Sequence, residues 1–284
     1  MNSLSEKEAE KLLEFVETFN EDEFENIIWE EKSWTFLYHL SSYRKNVVDW
    51  LPITKNMAVL EMNGEAGALT GTLAKKAGKV FCMEPDAILA NINRSRNRDF
   101  ANLTVLEEGV VEKALKTEKI DAAVLYDGFY DKSIIFTDAV MKDIKAHLTE
   151  EGIIVFIARN RFGMRYWAGG KNEGGGDFFS SISEDSDKFK LGFSKKEIEE
   201  LLEEAGFHIE MFYYPHPDIF FPMNIYSDER LPLKGELNHN RRNFATEKLI
   251  LFEEEKVFDR MIEMEEFPLF SNGYIVIASV RKGA

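Results

Sequence analysis

Five short apolar runs, each followed by a different kind of segment, constrain this chain more than any other feature of its sequence. They are MAVLEM (57–62), KVFCME (79–84), LTVLEE (103–108), DAAVLYD (121–127) and GIIVFIA (152–158). Helical stretches intervene: Leu69 to Lys76, a helix that Asp86 can cap, a weak piece from Lys113 to Lys116, and Ser133 to about Leu148. A strand apolar at nearly every position is buried on both faces, because a strand with one wet face would alternate. Such strands alternating with helices predict a parallel sheet covered on both sides. That is a Rossmann-like, doubly wound α/β fold, whose ligands bind beyond the carboxyl ends of the strands. Two more strands are expected, FHIEMFYY (207–214) and GYIVIASV (273–280), which bring the sheet to seven. Between strands five and six, Ser194 and Glu197 form a capping box for the helix SKKEIEELLEEA, which Gly206 ends.

The flanking segments read differently. Ser5 and Glu8 make another capping box ahead of Leu12, Leu13, Phe15 and Val16, and Phe24, Ile27, Ile28 and Trp29 follow at helical spacing. WTFLYHLSSYRKNVVDW continues to Pro52, so residues 1–52 are expected to be a helical cap. Residues 53–214 plus 273–284 form the Rossmann-like core. The segment 215–272 is too long for a hairpin turn and is rich in aromatics, so it is read as an insertion subdomain between the last two strands. The glycine- and serine-rich stretch GGKNEGGGDFFSSISEDSD (169–187) is expected to be a mobile loop.

Composition narrows the function. The net charge is −16, and residues 1–32 hold eleven carboxylates against three lysines. A surface of that sign repels phosphate backbones and anionic lipid, so the expectation is no nucleic-acid partner and no membrane partner. No apolar run is long enough to span a bilayer, and MNSLSEKEAEKLLEF lacks the pattern of a secretion signal. With the single cysteine, Cys82, in an apolar strand, this points to a cytoplasmic protein with no disulfide. The histidines show no metal-ligand spacing, so no metal is expected.

The polar residues that could do chemistry fall at strand ends. Glu61 lies near the end of the first strand, and Glu84, followed by Pro85, ends the second. A carboxylate there can accept two hydrogen bonds from a ribose diol. Glu107 and Glu108 close the third strand, where an adenine edge would lie. Asp127 closes the fourth, where a transferred group would sit. In an acidic chain some of these placements would arise by chance. Past the fifth strand, NRFGMRYWAGG (160–170) offers Asn160 and Arg161 for hydrogen bonding and the flat faces of Tyr166 and Trp167; either substrate binding or packing of a short helix would account for the run. In YYPHPDIFFPMNIYSDE, His216 is a candidate general base or a hydrogen-bonded structural histidine.

The segment VLEMNGEAGALTGTLAKKAGKVFCMEPD and the order of elements resemble the class I S-adenosylmethionine-dependent methyltransferases over about residues 57–160. YHLSSYRKNVVDWLP, ARNRFGMRYWAGG, FSKKEIEELLEEAGF and YYPHPDIFFPMNIYSDE are similar to bacterial methyltransferases found near glycosyltransferases of surface-polysaccharide synthesis. The resemblance implies S-adenosylmethionine over strands one and two, a last strand running antiparallel, and methyl transfer to a small or sugar-like acceptor, with oxygen the expected atom. It implies cofactor contacts from Glu61, Asn63, Gly64, Gly67, Glu84, Pro85, Glu107 and Glu108. Catalysis would fall to Asp127 and, from the residues alone, His216. Tyr38, Arg44, Asn160, Arg161, Tyr166 and Trp167 would face the substrate, and glycosyltransferases of the same pathway are the partners implied.

The family's turn reads acid-x-Gly-x-Gly-x-Gly. Here the three glycine positions hold Asn63, Glu65 and Gly67. Asparagine enters the left-handed region more readily than most residues, whereas Glu65 would set its charge against the cofactor carboxylate. At about 4 Å and an effective dielectric near 20, that contact costs about 4 kcal/mol. Three outcomes follow: Glu65 points to solvent, a cation such as Arg44 compensates it, or the fold has become a non-catalytic or repurposed binding protein.

Overall fold

The structure, a computed structural model, describes residues 4–128, 130, 133–172, 177–183, 192–237 and 248–280. In chain order the elements are α1 (Glu6–Thr18), α2 (Phe24–Glu31), α3 (Trp34–Leu40), a 3-10 helix (Ser42–Val47), β1 (Ala58–Met62), α4 (Thr70–Lys76), β2 (Lys79–Met83) and α5 (Ala87–Arg96). Then follow β3 (Leu103–Leu106), α6 (Val111–Leu115), β4 (Ile120–Tyr126), α7 (Asp138–His147), β5 (Leu148–Arg159), α8 (Met164–Trp167) and α9 (Ser180–Ser183). The chain closes with α10 (Lys195–Glu204), β6 (Phe207–His216), β7 (Asn224–Ser227), α11 (Glu254–Glu263), α12 (Phe267–Phe270) and β8 (Gly273–Val280).

The strands form one sheet in the order β3-β2-β1-β4-β5-β8-β6-β7. β1 to β5 pair in parallel, and β8 runs antiparallel to both β5 and β6. All seven expected strands are present, but the sheet has eight. The extra strand, β7, is only NIYS; it is too short and too polar to stand out as an apolar run, and it forms by pairing with Tyr213–His216 at the sheet edge.

Local signals account for the helix ends. Ser5 and Glu8, and again Ser194 and Glu197, exchange reciprocal capping bonds, and Asp86 accepts from the Ile88 amide. Gly206 takes a left-handed φ of 80° just past α10, as a helix-ending glycine does.

Each sheet face carries its own core. On one side the N-terminal helices contribute Leu12, Val16, Phe24 and Phe36, which join Leu73 of α4 and Leu89 of α5. On the other, Met141 and Ile144 of α7, Ile198 and Leu202 of α10, and Phe258 and Phe267 of the 217–272 segment pack together. Burying a leucine or phenylalanine side chain contributes about 2 kcal/mol, so the N-terminal helices are held to the sheet through a shared core. Of the glycine- and serine-rich stretch, residues 173–176 and 184–187 lie outside the described residues. Its described part bridges Gly170 to Lys248 and forms α9.

The strand order reverses between β1 and β4. At that point the connections leave the sheet in opposite directions and open a crevice above the strand ends. The N-terminal segment lies over it.

Candidate functional site

The turn after β1 is pressed against β2. The amides of Asn63 and Gly64 both donate to the Met83 carbonyl, at 3.0 and 3.4 Å. A Cβ on Gly64 would stand 2.1 Å from the Cys82 sulfur, so only glycine permits this approach. Asn63, Glu65 and Gly67 have φ values of 61°, 48° and 81°. All three glycine positions of the turn therefore keep the left-handed backbone, although two carry side chains, at a cost of about 1–2 kcal/mol each. Asn63 offsets that cost with its amide. Its Nδ2 donates to the carbonyls of Tyr126 (2.8 Å) and Ile134 (3.0 Å), and its Oδ1 accepts from the Ile134 amide at 2.6 Å.

Two strand-end carboxylates flank the turn. Glu61 is buried beneath it, and burial pushes its carboxyl up to about 7, against lowering contacts from Thr70 and Cys82. Its Oε2 finds no partner among the described residues. Glu84 accepts from the Glu65 amide (2.8 Å) and the Asp86 amide (2.9 Å), yet burial still pushes it up to about 7. A carboxylate has about four acceptor positions, so Glu84 can take two more donors. Pro85 follows, half-buried. Glu107 pairs with Arg94 at 2.7 Å, and Glu108 accepts from the amides of Gly109 and Val110. Both stand at the end of β3, on the same edge as Glu84.

Glu65 does not point to solvent. It is 3% exposed, and its Oε2 accepts from the Tyr38 hydroxyl at 2.7 Å and lies 3.4 Å from Nη2 of Arg44. Arg44 also donates to the Tyr126 hydroxyl at 2.8 Å, and its guanidinium lies 3.9 Å from the centre of the Tyr38 ring. Burial raises the Glu65 carboxyl, and Arg44 and Tyr38 oppose that rise. The first outcome posed by the sequence is therefore absent and the second is present: a cation from the N-terminal segment meets the glutamate.

Beside this cluster, Nε2 of His39 and the Tyr130 hydroxyl are 2.7 Å apart, with both side chains buried. Burial, then Arg44 and Arg96, hold His39 well below the usual histidine range, so the ring is neutral. His39, Tyr126 and Tyr130 were not among the residues expected here. Tyr126 could have been found from its position at the end of β4, whereas His39 and Tyr130 are 91 positions apart and meet only through folding.

Asp127 sits at the end of β4, 7% exposed, with its Oδ2 3.0 Å from Nε of Arg159 at the end of β5. Arg159 in turn donates to Asn172, whose amide donates to Ser181. The remaining expected residues lie elsewhere. His216 ends β6, three strand spacings or about 14 Å from β4, and packs edge-on against Phe258. Asn160 donates to the carbonyls of Leu269 and Ser271, and Arg161 to Glu197 and the Ser181 carbonyl. Tyr166 is buried, and Trp167, 40% exposed, donates to the Phe162 carbonyl. The structure thus brings Tyr38, Arg44, Glu61, Asn63, Gly64, Gly67, Glu84 and Asp127 around one crevice. His216 and the 160–167 run are engaged by α9, α10 and residues of the 217–272 segment, among them Phe220, which contacts both Arg165 and Tyr38.

No family model matches the chain. It is 37% identical over 73 residues to ribosomal RNA small subunit methyltransferase A of Streptococcus thermophilus, covering 26% of this chain and 25% of that protein. The protein of the same name from Bacillus licheniformis is 28% identical over 123 residues, 40% of each chain. An rRNA adenine N-6-methyltransferase of Bacillus licheniformis is 30% identical over 83 residues, 29% of each. The chain therefore spans a quarter to two-fifths of these relatives. Among solved structures, a methyltransferase of Haloferax volcanii in complex with the Trm112 activator aligns over 99% of this chain and 100% of its own, with TM-score 0.53 and 13% identity. A SAM-dependent methyltransferase of Thermotoga maritima aligns over 91% and 98%, with TM-score 0.51 and 16% identity. The fold is that of the class I S-adenosylmethionine-dependent methyltransferases. Two expectations change. The expected absence of a nucleic-acid partner is overturned, because the matching relatives are named for ribosomal RNA; net charge describes the average surface and does not exclude a local site for an anionic polymer. The nearness to polysaccharide-associated methyltransferases is not shown by these matches. Among the described residues, no helix is long and apolar enough to cross a membrane.

Proposed function

We propose that the protein is an S-adenosylmethionine-dependent methyltransferase whose cofactor lies over β1 and β2 and whose acceptor approaches past the end of β4. The observation that carries this reading is the turn at 63–67. It keeps the left-handed backbone at all three glycine positions, between Glu61 and Glu84, despite side chains at two of them. An ordinary strand–turn–helix has no reason to hold that strain. The matched relatives support the cofactor.

When bound, S-adenosylmethionine supplies an electrophilic methyl group on a sulfonium centre. Glu84 offers its two remaining acceptor positions to the ribose hydroxyls, and Asn63, Gly64 and Gly67 keep the backbone close to the ligand. Pro85, Glu107 and Glu108 border the nucleoside end. On the acceptor side, Asp127 is the carboxylate positioned to take a proton from an attacking group. The Arg159 ion pair fixes its orientation. Methyl transfer then depends mainly on alignment and exclusion of water, with modest help from the base. Residues 4–52 act as the cap: Tyr38, Arg44, Tyr126 and Tyr130 are each at most 3% exposed.

That degree of cover favours a small or sugar-like acceptor, methylated at oxygen, over a bulky one. A second reading, methylation of an adenine in RNA, draws on the names of the matched relatives. Calorimetry with S-adenosylhomocysteine tests the cofactor, and a labelled-methyl assay over small hydroxylated acceptors and RNA tests the reaction. Cofactor binding with label in one acceptor class is expected. Absence of binding at millimolar ligand would leave a non-catalytic or repurposed protein.

A further inference from the structure

The ion pair inside the crevice is under-bonded. Arg44, 3% exposed, makes one short hydrogen bond, to Tyr126, and one long contact of 3.4 Å, to Glu65. Among the described residues its Nε has no acceptor, and Oε1 of Glu65 has no donor. A guanidinium carries five N–H groups in a planar fork that matches a carboxylate through two parallel bonds. Here the fork meets its carboxylate through a single oxygen, at long range.

The surroundings are nevertheless built for an anion. The Tyr38 ring stacks on the guanidinium, and its hydroxyl donates to the same Glu65 oxygen. The Tyr126 hydroxyl accepts from Arg44 and so fixes the other edge of the fork. Glu65 reaches this receptor from a turn in which its own backbone is left-handed, φ 48°, where its side-chain angles cannot be optimised freely. The receptor comes from the N-terminal segment and β4, whereas its occupant comes from the turn that would hold the cofactor. A poorly fitted carboxylate therefore sits on a well-formed carboxylate site.

We propose that Arg44, Tyr38 and Tyr126 form a subsite for the carboxylate at the amino-acid end of the ligand, and that Glu65 fills it when the ligand is absent, as a tethered competitor. The subsite rests on the proposed cofactor only in taking that end to be a methionine-type α-carboxylate. The incoming carboxylate gains the bidentate fork that Glu65 does not reach, and Glu65 must swing off Arg44 to admit it. No bond is made or broken in this exchange. Nucleoside ligands without an amino-acid end would leave Glu65 in place.

The test compares two ligands on the full chain by calorimetry: S-adenosylhomocysteine, and 5′-methylthioadenosine, which keeps the nucleoside and thioether but lacks the amino acid. Glu65→Gln should bind S-adenosylhomocysteine at least tenfold more tightly than the parent and 5′-methylthioadenosine within twofold of it. In the double variant Glu65→Gln, Arg44→Gln, which buries no unpaired charge, the gain for S-adenosylhomocysteine should vanish while 5′-methylthioadenosine is unchanged. Glu65→Gly, with a residue suited to positive φ, supplies the same comparison should the glutamine variant fold poorly. Equal shifts for both ligands, or no gain for S-adenosylhomocysteine, would overturn the competitor. Binding of neither ligand to any variant would overturn the proposed cofactor itself, and the subsite with it.

Discussion

The backbone amide of Glu65 donates to one oxygen of the Glu84 carboxylate at 2.8 Å, while the Asp86 amide donates to the other at 2.9 Å. The turn after β1 is thereby tied to the end of β2 through a carboxylate that is itself buried. Glu61, under the same turn, is buried too. Both carboxyls stand at about 7 against an ordinary 4.5. Each binds its proton more tightly in the folded chain than in the unfolded one. Their contribution to stability is therefore complete below about pH 4.5 and is lost as pH rises through about 7. For Glu61 alone this amounts to roughly 3 kcal/mol. Urea unfolding of the ligand-free protein should show this stability falling between pH 5 and pH 8. Glu61→Gln should remove Glu61's share of the fall and leave that of Glu84, and an unaltered profile in that variant would show that Glu61 is not a source.

The close approach of Gly64 to Cys82 predicts a paired effect. Gly64→Ala places a methyl 2.1 Å from the sulfur and should cost about 2 kcal/mol by overpacking. With Cys82→Ala the sulfur is gone, and the next atom, Nδ2 of Asn93, lies at 3.1 Å. The double variant should recover about 1 kcal/mol relative to the sum of the single changes, as measured by a double-mutant cycle. Strict additivity would mean that the turn moves away instead.

Asn63 carries two separable roles. Asn63→Ala removes bonds to Tyr126 and Ile134 and keeps a left-handed residue with a side chain, so a loss of about 3 kcal/mol is expected. Asn63→Gly loses the same bonds but relieves the backbone, and should be about 1 kcal/mol less damaging. Chemical denaturation of both reads the difference. Equal losses would assign no strain to this position.

Asp127 is held by Arg159, which is 1% exposed. Asp127→Ala removes the carboxylate that the buried Arg159 Nε contacts and should cost about 1.5–3 kcal/mol, the range of a hydrogen bond to a charged group. Asp127→Asn keeps an acceptor for Nε, so it should lose less stability while impairing transfer to a hydroxyl acceptor. Thermal melts alongside labelled-methyl turnover separate the two effects. Full turnover in the asparagine variant would remove Asp127 as the base.

Much of the fold was legible because its causes are local. β1, β2, β4 and β5 read as unbroken apolar runs since both of their faces are buried, and Ser5–Glu8 and Ser194–Glu197 are pairs three residues apart that cap their own helices. β7 was not legible: its four residues become a strand only because Tyr213–His216 offers a free edge. The NRFGMRYW run allowed two readings because its aromatic and polar residues suit a ligand or a packed joint equally well. The carbonyls of Leu269 and Ser271, which occupy Asn160, are more than a hundred positions away.

The sequence by itself determined seven of the sheet's eight strands, the strand-end placement of Glu61, Glu84 and Asp127, and the turn whose second glycine position holds a glutamate. Tertiary structure alone decided what becomes of that glutamate. Its partners Tyr38 and Arg44 stand 27 and 21 positions away, on a segment whose docking is driven by non-directional apolar burial. Periodicity can show that such a segment will dock, but the direction in which it aims one guanidinium depends on how the two surfaces pack.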